Sequence, residues 1–433
     1  MKIKNNSILK NPYVLFAPFL ILYVSIVLVF PTTGMQGDEP RYIMFAQNLI
    51  RGFYSPPPPD INLWNGPGYP ILLIPFVALH LPLLCITLLN SILYYLSVVI
   101  LFKTLRRIIS FRKSIIICLF WACYYNSFQD MVSILPETLS SFLVSLLSLY
   151  LVKSFDANNK SLKTAILSGF IMGFLVLTKI IFGYIILLML IGTGAIMIIK
   201  RKIFNYRIAS IILITALGTN IPYLIYTHHL TGKILYWGDS GGMSLYWMTS
   251  PNNNEYGDWF IEPGSLESPD QSPNSFEKNK MPTLMDSVIS NHKKDFEEIN
   301  KYKGIERDNM YKKIAISNIR NHPLKYIKNC ISNTGRLFFS TPFSYTLQSN
   351  NNLIRLPLGG LMILLIAFSL IPTILNWNRI LFSIRFILFF VFLYLSLTIL
   401  VSTYTRMLTV IVPMLLLWFA YIIPKSLKIK WRI

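Results

Sequence analysis

Asp38 and Glu39 are adjacent carboxylates just beyond a long apolar run, within Gly37-Asp38-Glu39-Pro40-Arg41-Tyr42. A carboxylate held at a membrane surface can take the proton of an incoming hydroxyl or amine as a general base. The same residues suit a helix start, with an acid at the N-cap and Pro40 in the first turn. The two roles are compatible. Lys179 falls in a short turn between two apolar runs, and Arg406 at the external start of the last one. Cations there run against the usual inside bias of basic residues, so they call for a reason. Binding a lipid phosphate is one, because a cation neutralises the charge that grows as a bond to phosphate breaks. Snorkelling to the interface is the other.

Further polar positions surround these four. Arg41 and Tyr42 continue the acidic stretch as candidate substrate contacts. Trp64 and Tyr69 flank Gly66-Pro67-Gly68, a sequence suited to a tight turn back into the bilayer. Their rings could stack on a sugar face or sit in the interfacial aromatic belt. Glu137, after Pro136, either faces a cavity or favours a helix N-terminus. His228-His229 follow an apolar run as loop residues or donor contacts. A zinc site would need further ligands at suitable spacing, and none stands out. There is no phosphate-binding glycine loop, nucleophile elbow or zinc-protease motif, so nucleotide coupling is unsupported.

These residues need a scaffold, and composition says which kind. The 433 residues are 53% hydrophobic and 14% charged, with mean hydropathy +0.51. Soluble domains carry about 25% charged residues. Continuous apolar runs between short basic connectors imply a polytopic helical membrane protein rather than a β-barrel. The net charge of +21 comes largely from basic connectors such as Lys103–Lys113, Lys200–Arg207 and Lys425–Arg432. That is the positive-inside pattern, which reads anionic membrane lipid and excludes nucleic acid as a partner. Cys85, Cys118, Cys123 and Cys330 form no disulfide framework. Lys2, Lys4 and Lys10 precede an apolar run without a cleavage site, which reads as a retained signal anchor.

The fold class is all-α and polytopic, with about ten spans. They are expected at 13–31, 82–102, 114–128, 134–152, 162–178, 181–199, 208–226, 353–375, 380–401 and 407–424. Tyr42, Phe45, Ala46, Leu49, Ile50 and Phe53 recur at helical spacing in the first external loop, 32–66, and predict an interfacial helix. Pro56–Pro59 predict an extended polyproline link. His80-Leu81-Pro82 splits off 68–79 as a short juxtamembrane helix. Residues 227–350 form an external region, loop-like to about 280, then helical over Glu306–Arg320 and Pro323–Phe339. The expected organisation is an N-terminal membrane module 1–226, the external region 227–350, and C-terminal spans with a basic tail, 351–433. Ten spans put both termini in the cytoplasm.

Taken together, the chain resembles the C-type membrane glycosyltransferases that use polyprenyl-phosphate sugars. It looks most like the dolichyl-phosphate-mannose protein mannosyltransferase-like enzymes of glycosyltransferase family 39, and is similar to the aminoarabinose transferase of lipid A. The likeness rests on Gly37–Tyr42, Gly66-Pro67-Gly68-Tyr69-Pro70, Leu177-Thr178-Lys179, Pro222–Tyr246, Asn321–Tyr326, and Arg406 with Pro413. It implies a C-type bundle at the inner membrane with an external active site. It implies that Asp38 is the base toward the acceptor, with Glu39 beside it, and that Arg406 holds the donor phosphate. The donor would be a polyprenyl-phosphate sugar, and the acceptor a lipid, glycan or protein, with inversion at the anomeric carbon. A divalent metal is allowed but not required. Trp64-Asn65 stand where the aminoarabinose branch has a Glu-Lys pair, and His228-His229 where the family often has Arg-Asn.

Two other classes fit a polytopic chain. A lipid-linked glycan flippase would carry charges at the bilayer midplane and repeat symmetry. An O-antigen ligase or polymerase would centre its essential residues on the large late loop. Here the acids cluster outside and the span interiors are nearly bare.

Overall fold

A computed structural model describes residues 11–156, 161–199, 204–259, 282–344 and 352–426. The basic positions Lys2, Lys4, Lys10, Lys200, Arg201, Lys202, Lys428, Lys430 and Arg432 lie outside the described residues, as does much of the loop before 280. The described residues are helical, with no strand among them.

Six helices are long and apolar enough to cross a membrane: Leu83–Leu105 (α5), Ile181–Ile199 (α10), Phe204–Thr231 (α11), Asn352–Leu375 (α16), Phe382–Ile399 (α17), and Thr405–Pro424 within Thr405–Ser426 (α18). At about 1.5 Å per residue, the 23 residues of α5 exceed the hydrocarbon thickness of a bilayer. Three shorter apolar helices are Ala17–Val29 (α2, preceded by Pro12–Leu15, α1), Gly68–Ala78 (α4) and Leu162–Thr178 (α9). Glu137–Ser154 (α8) completes the central bundle. The protein is an all-α polytopic membrane protein.

Within a bilayer every polar backbone group needs an internal partner, and small residues let helices approach closely. Both features are present. A Cβ on Gly169 of α9 would sit 2.5 Å from the Thr215 Cβ of α11, and one on Gly173 2.6 Å from that of Thr219. Along α8, Ser145 and Ser148 donate to the carbonyls of Ser141 and Val144 at 2.9 and 2.8 Å, so these hydroxyls stay satisfied. Ser141 donates to the Thr409 carbonyl at 3.4 Å, tying α8 to α18.

The structure changes several details. The run expected at 114–128 is two helices, Phe111–Ala122 (α6) and Tyr125–Met131 (α7), broken at Cys123-Tyr124. The interfacial helix of the first loop is Glu39–Ile50 (α3). It buries Tyr42, Phe45 and Ala46, while Ile50 and Phe53 are exposed because the helix ends and Gly52 turns at φ +89°. Pro56–Pro59 do not form a continuous extended link. The Pro58–Pro59 peptide is cis, and the Asp60 amide closes a turn onto the Pro57 carbonyl at 3.1 Å.

The external region is more helical than its composition implies. It holds Gly241–Met248 (α12), Pro282–Ile299 (α13), Gly304–Asn321 (α14) and Pro323–Phe339 (α15). Its own small core includes Tyr246, Trp247, Val288, Phe296 and Tyr311. An apolar cluster of that size offsets the cost of ordering these helices, while the described part of the Asn-rich stretch, residues 249–259, is non-helical as expected.

Candidate active site

Asp38 stands at the N-cap of α3 but does not cap it. Its carboxylate turns to two cations instead. Arg406 Nη2 donates to Oδ2 at 2.7 Å, and Arg41 Nη1 to Oδ1 at 3.2 Å. Burial works against this charge, but Arg406, Arg41 and Lys179 outweigh it and hold the Asp38 pKa below its ordinary value. The Asp38 side chain keeps 29% of its surface accessible, so a substrate can reach it.

Arg406 bridges two acids. Its Nε lies 3.7 Å from Glu137 Oε1, which also accepts from Lys179 Nζ at 2.9 Å. Glu137 is 2% exposed and its Oε2 has no hydrogen-bond partner. Glu137 therefore joins the cluster in addition to opening α8. Four residues separated by up to 368 positions, Asp38, Glu137, Lys179 and Arg406, converge.

Glu39 has a different part. Its Oε1 accepts the Ile134 amide at 2.8 Å and its Oε2 the Gln36 amide at 2.7 Å, so both oxygens are engaged by backbone. The side chain is buried. As arranged, it anchors the first loop to the segment before α8 and has no free oxygen to act as a base. Asn90 Nδ2 reinforces the same segment by donating to the Ser133 carbonyl at 2.9 Å, and Thr32 donates to the Val132 carbonyl.

Tyr42 is buried, and its hydroxyl accepts from Asn65 Nδ2 at 2.8 Å. Its ring meets Tyr69 edge-on at 5.2 Å. Tyr69 is fully buried, which leaves no face for a sugar. Trp64 lies under the Arg41 guanidinium, 4.7 Å from its ring centroid. That stacking fixes the second cation beside Asp38. His228 and His229 are not brought to this cluster. They sit exposed in the last turn of α11, where His228 Nδ1 lies 3.2 Å from the Lys233 carbonyl. The apolar run extends helically to Thr231, past the predicted loop start.

The glycines of the Gly66-Pro67-Gly68 turn have a packing reason. A Cβ on Gly66 would lie 2.1 Å from the Leu177 carbonyl oxygen, and one on Gly68 2.7 Å from the Thr178 amide nitrogen. The turn therefore rests directly on the Leu177-Thr178-Lys179 backbone and sets where Lys179 emerges.

Residues without a sequence signal complete the site. A cavity of about 330 Å³ lies between Arg406 and Arg355, lined also by Asp130, Gln129, Tyr404 and Ser340. Arg355, at the start of α16, donates to Ser340 Oγ at 2.7 Å and to Gln129 Oε1. Asn333 and Arg336 on α15 secure the segment that presents Arg406. Asn333 Nδ2 donates to the Ile399 carbonyl at 2.9 Å, and its Oδ1 accepts from the Thr403 amide at 3.1 Å and from Arg336 at 2.8 Å. The external helices thus position the far side of the cavity.

A divalent metal fits poorly here. Hard cations take six or more oxygen ligands. Asp38 and Glu137 already face Arg406, Arg41 and Lys179, and no group of three or more metal-ligating side chains converges among the described residues.

The sequence matches no family model and no curated protein. Solved structures do match. The oligosaccharyltransferase of Archaeoglobus fulgidus, tethered to an acceptor peptide containing the NVT sequon, aligns over 96% of this chain at 12% identity, with a TM-score of 0.50. The match covers 50% of that enzyme, so the chain spans about half its length. The archaeal oligosaccharyltransferase AglB from the same organism, in complex with an inhibitory peptide and a dolichol-phosphate, aligns over 95% of this chain and 50% of its own at 12% identity, TM-score 0.48. ArnT from Cupriavidus metallidurans bound to undecaprenyl phosphate aligns over 95% of this chain and 77% of its own at 10% identity, TM-score 0.41. The archaeal likeness at 0.50 shows the fold alone: the chain shares the polytopic helical fold of that oligosaccharyltransferase.

Proposed function

We propose that this protein transfers a sugar from a polyprenyl-phosphate donor to a lipid, glycan or protein acceptor on the external face of the inner membrane. The observation that carries the reading is the Asp38–Arg406 pair at a cavity lined by a second guanidinium, Arg355. A carboxylate and an anion clamp in direct contact are what glycosyl transfer from a lipid phosphate requires. The fold supports the reading, since the similar solved structures are of glycosyltransferases and two were solved with a polyprenyl phosphate or dolichol-phosphate. The resemblance of Gly37–Tyr42 and Leu177-Thr178-Lys179 to family 39 points to a monosaccharide donor.

The paired state sets the order of events. While Arg406 holds Asp38, the carboxylate is a weak base. A donor phosphate entering between Arg406 and Arg355 competes for the guanidinium. Asp38 then loses its strongest partner, and its proton affinity rises as the acceptor arrives. Asp38 takes the acceptor proton, the acceptor oxygen or nitrogen attacks the anomeric carbon, and the carbon–oxygen bond to phosphate breaks through an oxocarbenium-like state. Attack opposite the leaving phosphate inverts the centre. Arg406 and Arg355 take up the charge on the departing lipid phosphate. Lys179 balances the buried Glu137, so that Glu137 does not draw Arg406 away. Glu39 holds the first loop in register.

In this arrangement both termini face the cytoplasm. Residues 1–226 carry the base, 227–350 gate or bind the acceptor, and 351–433 supply the donor clamp. The test supplies membranes containing the protein with labelled undecaprenyl-phosphate sugars and follows the label, alongside mass spectrometry of the glycans lost when the protein is deleted. Label moving from lipid to acceptor supports the proposal. Labelled lipid crossing the bilayer without transfer would instead support a flippase.

A further inference from the structure

Among the described residues, Asp130 is the one carboxylate lining the cavity between Arg406 and Arg355. It lies on the short helix α7, outside the expected spans, and is 7% exposed. Its Oδ2 has no hydrogen-bond partner. The Thr409 hydroxyl bonds the carboxyl, and the buried oxygen left without a partner calls for a reason. Two arginines beside the cavity fit an anion, yet an ionised acid would repel it. Both facts are reconciled if the carboxyl carries a proton when the anion binds.

We propose that Asp130 is the acid of this site: its carboxyl donates a hydrogen bond to the departing lipid phosphate and passes its proton to the oxygen that leaves the sugar. This rests on the phosphate-donor reading above. The balance is direct. The donor phosphodiester carries one negative charge. As the anomeric carbon–oxygen bond breaks, its electron pair goes to the phosphate oxygen, which would give a monoester dianion. The proton of Asp130 moves to that oxygen, leaving a monoester monoanion and an Asp130 carboxylate. Asp38 meanwhile gains the acceptor's proton, and passing one from Asp38 to Asp130 through solvent resets the site.

The surroundings suit the role. Burial, and after it the charge of Glu137, push the Asp130 pKa well above its ordinary value, against the pull of Arg406 and Lys179. Tyr124, Arg355 and Tyr404, which lines the same cavity, are the other titratable groups around it. Of these, only Glu137 and Asp130 are acids, and Glu137 is bonded to Lys179. Burial and the Glu137 charge thus favour the protonated form of Asp130. A hydrogen bond from a neutral carboxyl to a phosphate oxygen is charge-assisted and strong.

The test is the binding of farnesyl phosphate, a short polyprenyl monoester, to the full-length protein in nanodiscs between about pH 5.5 and 9. The phosphate itself titrates near pH 6, so the quantity read is the ratio of Kd for wild type to Kd for Asp130→Asn. The amide can still donate a hydrogen bond but cannot ionise. The ratio should stay near one at low pH and climb about tenfold per pH unit above the Asp130 pKa, because binding then requires uptake of a proton. Arg355→Gln should weaken binding about tenfold or more at every pH and keep the slope. A flat ratio in a folded Asp130→Asn protein, with binding still dependent on Arg406, overturns the proposal and leaves the phosphate-donor reading standing. Wild type that fails to bind farnesyl phosphate overturns both.

Discussion

Arg406 Nη2 lies 2.7 Å from Asp38 Oδ2, although 368 positions separate the two residues. The loop after α2 and the start of α18 meet at this contact. On the proposed reading, donor phosphate binding to Arg406 would release Asp38 to act as the base, and the pairing would keep Asp38 ionised and oriented until then.

Removing the clamp should cost both binding and rate. Arg406→Gln should lower transfer about 10²–10³-fold, the scale for losing one donor to a developing oxyanion. Arg406→Lys should recover part of it, since a point charge remains without the planar fork. The check is initial rates with a labelled polyprenyl-phosphate sugar at varied donor concentration.

The pH profile has a direction. In the free protein the Asp38 pKa lies below its ordinary value. A group of that kind stabilises the folded state above its unfolded pKa, and the contribution is lost as pH falls through the folded pKa. Asp38 should therefore be ionised throughout the neutral range, and the acid limb of kcat/KM should lie below the ordinary carboxylate range. Donor binding takes Arg406 away, so the acid limb of kcat should lie higher than that of kcat/KM. Coincident limbs would mean that the pair does not open.

The Lys179–Glu137 pair is buried, with side chains 13% and 2% exposed. Deleting one partner of such a pair leaves an uncompensated charge. Lys179→Met should destabilise by about 3 kcal/mol, the lower end for buried pairs, since Arg406 remains near Glu137. Lys179→Met combined with Glu137→Gln should recover most of that loss. Denaturation in detergent, followed by near-ultraviolet circular dichroism, would show both.

Gly66 offers a purely steric test. A methyl group there collides with the Leu177 carbonyl oxygen at 2.1 Å. Gly66→Ala should destabilise by about 1–3 kcal/mol and displace the Lys179 turn. Transfer activity should fall even below the melting transition, where Gly192→Ala, which meets nothing within 4 Å, should be silent.

Much of this architecture was legible from residue pattern. Apolar runs placed six helices long and apolar enough to cross a membrane, while the other four of the ten expected spans fall on shorter or less apolar helices; helical spacing of Tyr42, Phe45 and Ala46 placed α3. Asp38 stood out as a carboxylate just past an apolar run, and Lys179 and Arg406 as cations placed against the usual inside bias. Asp130 and Arg355 gave no such signal. Each is a single polar residue with no motif around it, and the cavity between their segments exists only after α7 and α16 pack against α18. Glu39 looked equivalent to Asp38 in sequence. Helix geometry separates them, because one residue's rotation turns Glu39 toward the Ile134 amide and Asp38 toward Arg406. His228 and His229 misled because an apolar run gives no sharp end to a helix that continues into solvent.

The most direct measurement compares Asp38→Asn with wild type for two quantities in the same membranes: farnesyl phosphate binding and sugar transfer from a labelled polyprenyl-phosphate donor. The account predicts binding at least as tight as wild type, since Arg406 is released, together with transfer reduced about 10²–10⁴-fold. Transfer at the wild-type rate by the Asp38→Asn protein would contradict it.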